Sequence, residues 1–297
     1  MAPVETRDTV GIAAHSAGLR GAEAIGRTET RSGRISIREA AHLGAILRHP
    51  SEPPLGSGDV LPLLWHWAAF PDAAPMEALG GDGHPALGTF LPDLSLSRRM
   101  WAGGTMQFLK PLHVDADLTR RSEIRNVEHK DSSAGPMAVV TLEHQVSDVQ
   151  GPAIMETQTI VYLRIPDRFS PPQAIPAPSH PVLDETVLVD PVLLFRYSAV
   201  TFNGHRIHYD RDYATQIEHY PGLVTHGPLQ ATLLADAATR HRGSPPVRFK
   251  YRGVRPMFDT HNLRVLAEEG PAGALQLCTA AAPDGPQGMQ ATAEWDA

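Results

Sequence analysis

The chain carries a single cysteine, Cys278. One thiol excludes an internal disulfide framework and any cysteine-rich zinc site. No stretch approaches the ~18 consecutive apolar residues that a membrane-spanning helix needs. The N-terminus lacks the charged-then-apolar pattern of a secretory signal. Basic residues are the minority, 26 Lys and Arg against 33 Asp and Glu, for a formal charge of −7. The basic footprint of a non-specific nucleic-acid binder is therefore missing. These absences together lead to a cytoplasmic enzyme or binding module with neither nucleic acid nor membrane as partner.

Other residues are plentiful. With 297 residues, 42% of them hydrophobic and 20% charged, the chain is long enough for two domains of ~100–150 residues each. Its 25 glycines and 27 prolines imply many turns and short elements. The 15 histidines are more than most chains of this size carry, and surface or structural roles are expected for nearly all of them.

Residues 1–25 are small, polar and weakly periodic, and read as a flexible N-terminus with room for partial helix. Ser36–His49 is the first clear helix: Ile37, Ala40, Ala41, Leu43, Ile46 and Leu47 fall on one face, with Ser36 placed to cap it. Leu63–Phe70, LLWHWAAF, is too short to assign, and Pro71–Pro92 is a glycine- and proline-rich loop. Four strand-like runs follow, Met100–Leu112, Asp117–Asp131, Met137–Asp148 and Ala153–Arg164, with short turns between them. Ile165–Pro181 has six prolines in 17 residues and reads as an exposed, semi-extended connector. The second half then repeats the order. A strand-like run opens DPVLLFRYSAVTFN, a short helix is expected at Asp210–Ile217, and Pro228–Arg242 is the best helix of the chain, with Pro228 at its first position. Three or four strands end the chain. The architecture expected is α+β, two helix-plus-antiparallel-sheet units in tandem. Their bounds are residues 26–165 and 182–297, joined by a Pro-rich linker at 166–181.

The segment richest in chemistry is TFNGHRIHYDRDYA, Thr201–Ala214, followed by GLVTHGPLQ. It resembles the hydratase motif of the MaoC-like (R)-specific enoyl-CoA hydratases and dehydratases, roughly Gly-Asp-x-Asn-Pro-x-His, with a later His-Gly opening a long central helix. Asn203 stands at the motif's catalytic Asp, His205 at its Asn, Arg206 at its Pro and His208 at its catalytic His. Thr225-His226-Gly227 matches the start of the central helix. The departure at Asn203 replaces a carboxylate base by an amide. Pro62–Trp67 and Leu96–Gly104 resemble segments of a narrower branch in which two hot-dog domains are fused. That branch includes mesaconyl-C4-CoA and itaconyl-CoA hydratases and the mitochondrial-type fatty-acyl dehydratases.

The resemblance implies a tandem double hot-dog fold, with a C-terminal domain carrying the motif and a non-catalytic N-terminal partner. It implies a carbon–oxygen lyase that reversibly hydrates an α,β-unsaturated acyl-CoA, with a branched C4-dicarboxylyl-CoA (mesaconyl-C4-CoA or itaconyl-CoA, giving citramalyl-CoA) as the first choice of substrate. Dehydration of 3-hydroxyacyl thioesters of fatty acids, and a non-catalytic acyl-CoA-binding role, remain as alternatives. Thioester hydrolysis is disfavoured, because the position where hot-dog thioesterases carry a carboxylate is Gln230. Hydration needs a base for water, a proton for C2 and a donor for the enolate oxygen. His208 suits the first, with an unperturbed pKa of ~6.5. Asn203 orients water but takes no proton, and the resemblance puts the oxyanion donor at the Gly227 N–H. Substrate contacts are assigned to His226, Arg206 and His205, the last with packing as an equal alternative. Trp65 and His66 are candidates for the acyl-pocket wall, and Arg98, Arg99 and Arg206 for a substrate carboxylate. The two histidines of HRIH lack a third ligand in the motif, so no metal is expected. No cofactor is expected beyond the coenzyme A of the substrate, and a homodimer is compatible with such units.

Overall fold

The computed structural model describes residues 20–47, 52–132 and 135–296. The first half contains β1 (Thr28–Gly33), α1 (Ile37–Leu47), β2 (Arg98–Phe108), β3 (Leu118–Ser132), β4 (Gly135–Asp148) and β5 (Gly151–Leu163). The second contains β6 (Leu183–Val187), α2 (Pro191–Thr201), α3 (Gly227–Arg242), β7 (Arg248–Gly253), β8 (Leu263–Glu269), β9 (Leu275–Ala281) and β10 (Gln287–Glu294). All ten strands join one antiparallel sheet in the order β1-β3-β4-β5-β2-β7-β10-β9-β8-β6. Outward from the β2–β7 seam, the two halves run through equivalent strands in the same sequence. The seam pairs Gly103 with Arg252 and Gln107 with Arg248, so the halves share a sheet and not merely a face.

The long helix α3 lies against β7, β8, β9 and β10. Leu229, Ala231, Leu234, Ala235, Ala237 and Ala238 are all buried, a set that covers most of the helix circumference. Small alanines let the sheet curl closely around it, and each buried Leu contributes about 1.5–3 kcal/mol. Pro228 sits in its first turn and Gly243 closes it in the left-handed conformation. Among the described residues, the first half has no counterpart of α3. Its interior is filled by a single 3-10 turn, Trp65–Ala69, the segment whose length left it unassignable. Trp65 packs there among Ile35, Leu43 and Leu61.

Two expectations need correction. The N-terminal segment is not loose up to residue 25: a 3-10 turn covers Ala22–Ala24, and Ala24 is fully buried; residues 1–19 lie outside the described residues. The run PVLLFRYSAVT is helix α2, not strand. Asp190 accepts a hydrogen bond from the Leu193 N–H at 2.8 Å and Pro191 occupies the first helical position, so capping outweighs the β-propensity of the residues. The linker is irregular in structure and mostly exposed, as its prolines imply, and it is fastened to the second half at two points: Phe169 packs edge-on to Phe258 with ring centroids 5.5 Å apart, and the Ile175 carbonyl accepts from the Gln287 N–H at 2.8 Å. Helix α1 starts one residue after Ser36, which forms a capping box with Glu39; Arg48 and His49, included in the expected helix, lie outside the described residues. Cys278 is buried in β9, and burial pushes its thiol up to about 12.

Candidate active site

Helix α2 delivers the motif. It ends with Phe202 in the left-handed conformation, and the Asn203 N–H returns to the Ser198 carbonyl at 2.8 Å, a Schellman closure that turns the chain sharply. The Asn203 Oδ1 then accepts from the His205 N–H at 3.0 Å. That bond fixes the amide orientation and leaves both Nδ2 donors for a ligand. A 3-10 turn, Arg206–His208, follows. The Val224 N–H bonds the Ile207 carbonyl at 2.9 Å, which ties this turn to the strand-like chain leading into α3.

His208 is buried, and its Nδ1 lies 2.7 Å from the Val224 carbonyl oxygen. A carbonyl only accepts, so Nδ1 carries the proton and Nε2 keeps its lone pair. Burial pushes His208 down to about 3 despite that hydrogen bond, so the imidazole is neutral throughout the physiological range. His226 precedes α3 and stacks on His208 with centroids 3.6 Å apart. Its Nε2 is 2.9 Å from the Ser198 Oγ, while its Nδ1 is buried with no hydrogen-bond partner. Burial, reinforced by His208 and His205, holds His226 well below the usual imidazole range. Gly227 is the first residue of α3, where the N–H lies outside the intrahelical ladder and the dipole end is positive. A Cβ there would stand 2.7 Å from the Trp101 ring.

The first half reaches into this site through the loop GGDGHP. Gly83 has a φ of +85°, and a Cβ on it would stand 2.1 Å from the Gly204 carbonyl oxygen, so only glycine fits. The Arg206 N–H donates to the Asp82 carbonyl at 2.9 Å. The His84 ring contacts the Asp82 carboxylate at 3.0 Å and the His205 ring at a centroid distance of 4.2 Å. His205 is buried beside His84 and His208 and shifted strongly downward by desolvation. Potential ligand atoms of Asp82, His84 and His205 fall within 4.8 Å of one another. The Asp82–His84 hydrogen bond already satisfies two of the three groups.

The structure brings Asn203, His205, His208, His226 and Gly227 together, and separates the other candidates. Arg98 is consumed by Glu218, with Nε to Oε2 at 2.6 Å. Arg206 grips the Asp210 carboxylate at 2.7 Å. Arg99 bonds only the Pro85 carbonyl, at 2.9 Å, with Asp82 at 3.9 Å. Trp65 belongs to the first-half core and His66 lies 3.8 Å from buried Glu156. The aromatic group that reaches Gly227 is instead Trp101, stacked on Tyr251 at 4.6 Å and met edge-on by Trp67 at 5.3 Å. The sequence reading missed Asp82 and His84; an Asp and a His flanked by glycines in a long loop were the available signal. Gln230 is used internally, accepting from the Thr279 hydroxyl at 2.7 Å.

Among the described residues, no helix is long and apolar enough to cross a membrane. The family model for hydroxyacyl-thioester dehydratase type 2 matches residues 64–259. The chain is 42% identical over 277 residues to a mesaconyl-C(4)-CoA hydratase of Chloroflexus aurantiacus, covering 91% of this chain and 96% of that one. Among solved structures, HtdX of Mycobacterium tuberculosis superposes with a TM-score of 0.65 at 20% identity, over 91% of this chain and 100% of that one. A second M. tuberculosis protein, described as a double hot-dog fold, superposes with a TM-score of 0.59 at 14% identity, over 91% and 95% of the two chains. This chain belongs to the hydroxyacyl-thioester dehydratase type 2 family, MaoC-like carbon–oxygen lyases of double hot-dog fold.

Proposed function

We propose that the protein reversibly hydrates a branched C4-dicarboxylyl-CoA, mesaconyl-C4-CoA first and itaconyl-CoA second, to citramalyl-CoA. The observation that carries the chemistry is the His208 tautomer: Nδ1–H is held by the Val224 carbonyl, so Nε2 is a lone-pair base next to the start of α3. For mesaconyl-C4-CoA, whose double bond is conjugated with the thioester, Nε2 takes a proton from water as its oxygen bonds to the β-carbon. The Asn203 Nδ2 donors orient that water. The electron pair displaced from the double bond collects on the thioester oxygen, where the Gly227 N–H and the helix terminus stabilise it. The imidazolium then returns its proton to the α-carbon. Because the chain's own N–H groups polarise the carbonyl, the cycle requires no cofactor besides the substrate's coenzyme A.

The aromatic wall favours a compact acyl group. Trp101 stands against Gly227 and is braced by Tyr251 and Trp67, whose indole N–H donates to buried Glu156 at 3.1 Å. A long straight acyl chain meets that wall. The same reading takes the protein as cytoplasmic and compatible with a homodimer. The test follows loss of enoyl-thioester absorbance with mesaconyl-C4-CoA, crotonyl-CoA and a medium-chain trans-2-enoyl-CoA, and formation of citramalyl-CoA from itaconyl-CoA, with H208A as control. Turnover of the dicarboxylyl thioesters, abolished in H208A, is the expected result. Preference for the medium chain would make the enzyme a fatty-acyl dehydratase instead.

A further inference from the structure

A dicarboxylyl-CoA brings a second carboxylate into the site. In mesaconyl-C4-CoA that group is attached to the same carbon that water attacks, so its binding partner must lie beside the histidines. Three arginines were candidates from the sequence, and their surroundings separate them. Arg98 is closed on the Glu218 carboxylate at 2.5 Å and on the Glu218 carbonyl at 2.9 Å, and its guanidinium covers the Tyr220 ring. Arg206 holds Asp210 through both Nε and Nη2, and its guanidinium covers the Tyr213 ring. Neither has a carboxylate-binding edge to spare.

Arg99 differs. Only 13% of its side chain is exposed, yet no carboxylate comes within hydrogen-bond distance. The nearest, Asp82, is 3.9 Å away and already accepts from both the backbone and the ring of His84, each at 3.0 Å. A buried cation without a bonded anion is costly, and desolvation accordingly lowers the Arg99 guanidinium below the usual arginine range. Across the β2–β5 ladder, Arg99 pairs with Tyr162, so the two side chains share a sheet face. The Tyr162 hydroxyl is buried and has no hydrogen-bond partner. The unpartnered Tyr162 hydroxyl and the Arg99 guanidinium, which donates to the Pro85 carbonyl but to no carboxylate, therefore share one face of the first-half wall. Asp82 and His84 link that wall to His205 of the motif.

We propose that Arg99, flanked by the Tyr162 hydroxyl, is the site's binding group for the distal carboxylate of the substrate. The first half of the chain is then not merely a scaffold. It supplies the acyl specificity, while the second half supplies the proton chemistry. A guanidinium accepts a carboxylate through two parallel N–H bonds, which also fixes the face of the double bond shown to the water. Arg99 acts on substrate selection; the proton transfers remain with His208.

This proposal rests on the dicarboxylyl reading above, and the experiment separates the two. The non-reacting thioesters succinyl-CoA and butyryl-CoA, equal in carbon number and differing by the carboxylate, are used as competitive inhibitors of wild type, R99Q, R99K and Y162F. Wild type is expected to bind succinyl-CoA the tighter. In R99Q the ratio of the two inhibition constants is expected to fall by about 100-fold, with R99K between it and wild type. In Y162F the ratio falls by a smaller factor, about 10-fold. The ratio of kcat/KM for mesaconyl-C4-CoA over crotonyl-CoA moves in parallel. Equal weakening of both inhibitors in R99Q, or a selective loss in R98Q or R206Q instead, overturns the assignment of Arg99. A wild-type enzyme that hydrates crotonyl-CoA and shows no preference for succinyl-CoA overturns the dicarboxylyl reading itself. Thermal melting of each variant separates loss of fold from loss of binding.

Discussion

His208 and His226 lie ring on ring, with centroids 3.6 Å apart and planes 19° apart. Two imidazolium ions could not share that geometry in a buried site, so the fold holds both rings neutral. His205 and His84 are lowered in the same way, with desolvation the largest cause for each. In the unfolded chain all four titrate near pH 6.5. Below that pH the unfolded state binds protons that the native state refuses, so stability falls as pH falls. Each group contributes up to ~1.4 kcal/mol per pH unit, and the loss from His208 saturates near its native value of about 3. Denaturant midpoints measured from pH 7.5 to 5 are expected to drop steeply, and H208Q is expected to flatten the slope by about one proton. A midpoint independent of pH over that range would contradict the neutral stack.

The same neutrality shapes the rate profile. Because Nε2 of His208 is unprotonated well below pH 6.5, the kcat/KM of native enzyme should show no acid limb near that value. Removing the base in H208Q is expected to lower kcat by roughly 100- to 10,000-fold with a much smaller effect on KM. A variant that loses KM and keeps kcat would assign His208 to binding.

Asn203 has a structural duty that its alignment with a catalytic carboxylate does not reveal. Its Oδ1 accepts from the His205 N–H at 3.0 Å, and a carboxylate could accept the same bond. N203D is therefore expected to melt close to wild type, whereas N203A loses the turn and about 1 kcal/mol. For activity the order changes: N203D replaces the Nδ2 donors by an acceptor beside a lone-pair base, so both variants should lose kcat. A fully active N203D would mean that water is oriented by another group.

Much of this was legible in the residues because local chemistry and tertiary context agreed. Helix α3 announces itself by Pro228 and Gly243, and the motif by its own spacing. Helix α2 was read as strand because its outer face is apolar too: Val192 and Phe195 are exposed while Leu194 and Tyr197 are buried, so no polar stripe marks the helical period. Strand β1, TETRSG, was invisible because it is a short edge strand with charged side chains, paired only to β3. The contribution of Asp82 and His84 depends on a loop of the first half crossing to Gly204. Nothing in local sequence encodes such a long-range contact.

Gly227 is held against Trp101, and the indole has nowhere to go. A Cβ at 227 would lie 2.7 Å from Cε3 and 3.1 Å from Cζ3 of a ring already stacked on Tyr251. G227A is expected to cost about 1–3 kcal/mol of stability by overpacking and to displace the N–H proposed as the donor to the thioester oxygen. Adding W101F removes the clashing atoms, so G227A/W101F should regain melting temperature relative to G227A. If G227A melts like wild type, the packing around the helix start is looser than the distances say.

The wall that braces Gly227 should also set acyl length. Trp67 meets Trp101 edge-on at 5.3 Å and is anchored to Glu156. Glu156 is buried; burial alone would raise its carboxyl, but the nearby His66 and His144 and the hydrogen bond from Gln158 at 2.6 Å hold it below the usual range. That carboxylate fixes the indole as a rigid barrier, and shortening the barrier opens space towards the first-half interior, where no long helix stands in the way. W67L and W101L are expected to raise kcat/KM for hexenoyl- and octenoyl-CoA relative to crotonyl-CoA, by about 10-fold for each pair of methylenes accommodated, given about 0.8 kcal/mol per buried CH2. Kinetics across chain lengths from four to ten carbons decide the matter. An unchanged length profile in both variants would place the acyl channel elsewhere and remove the structural support for a compact substrate.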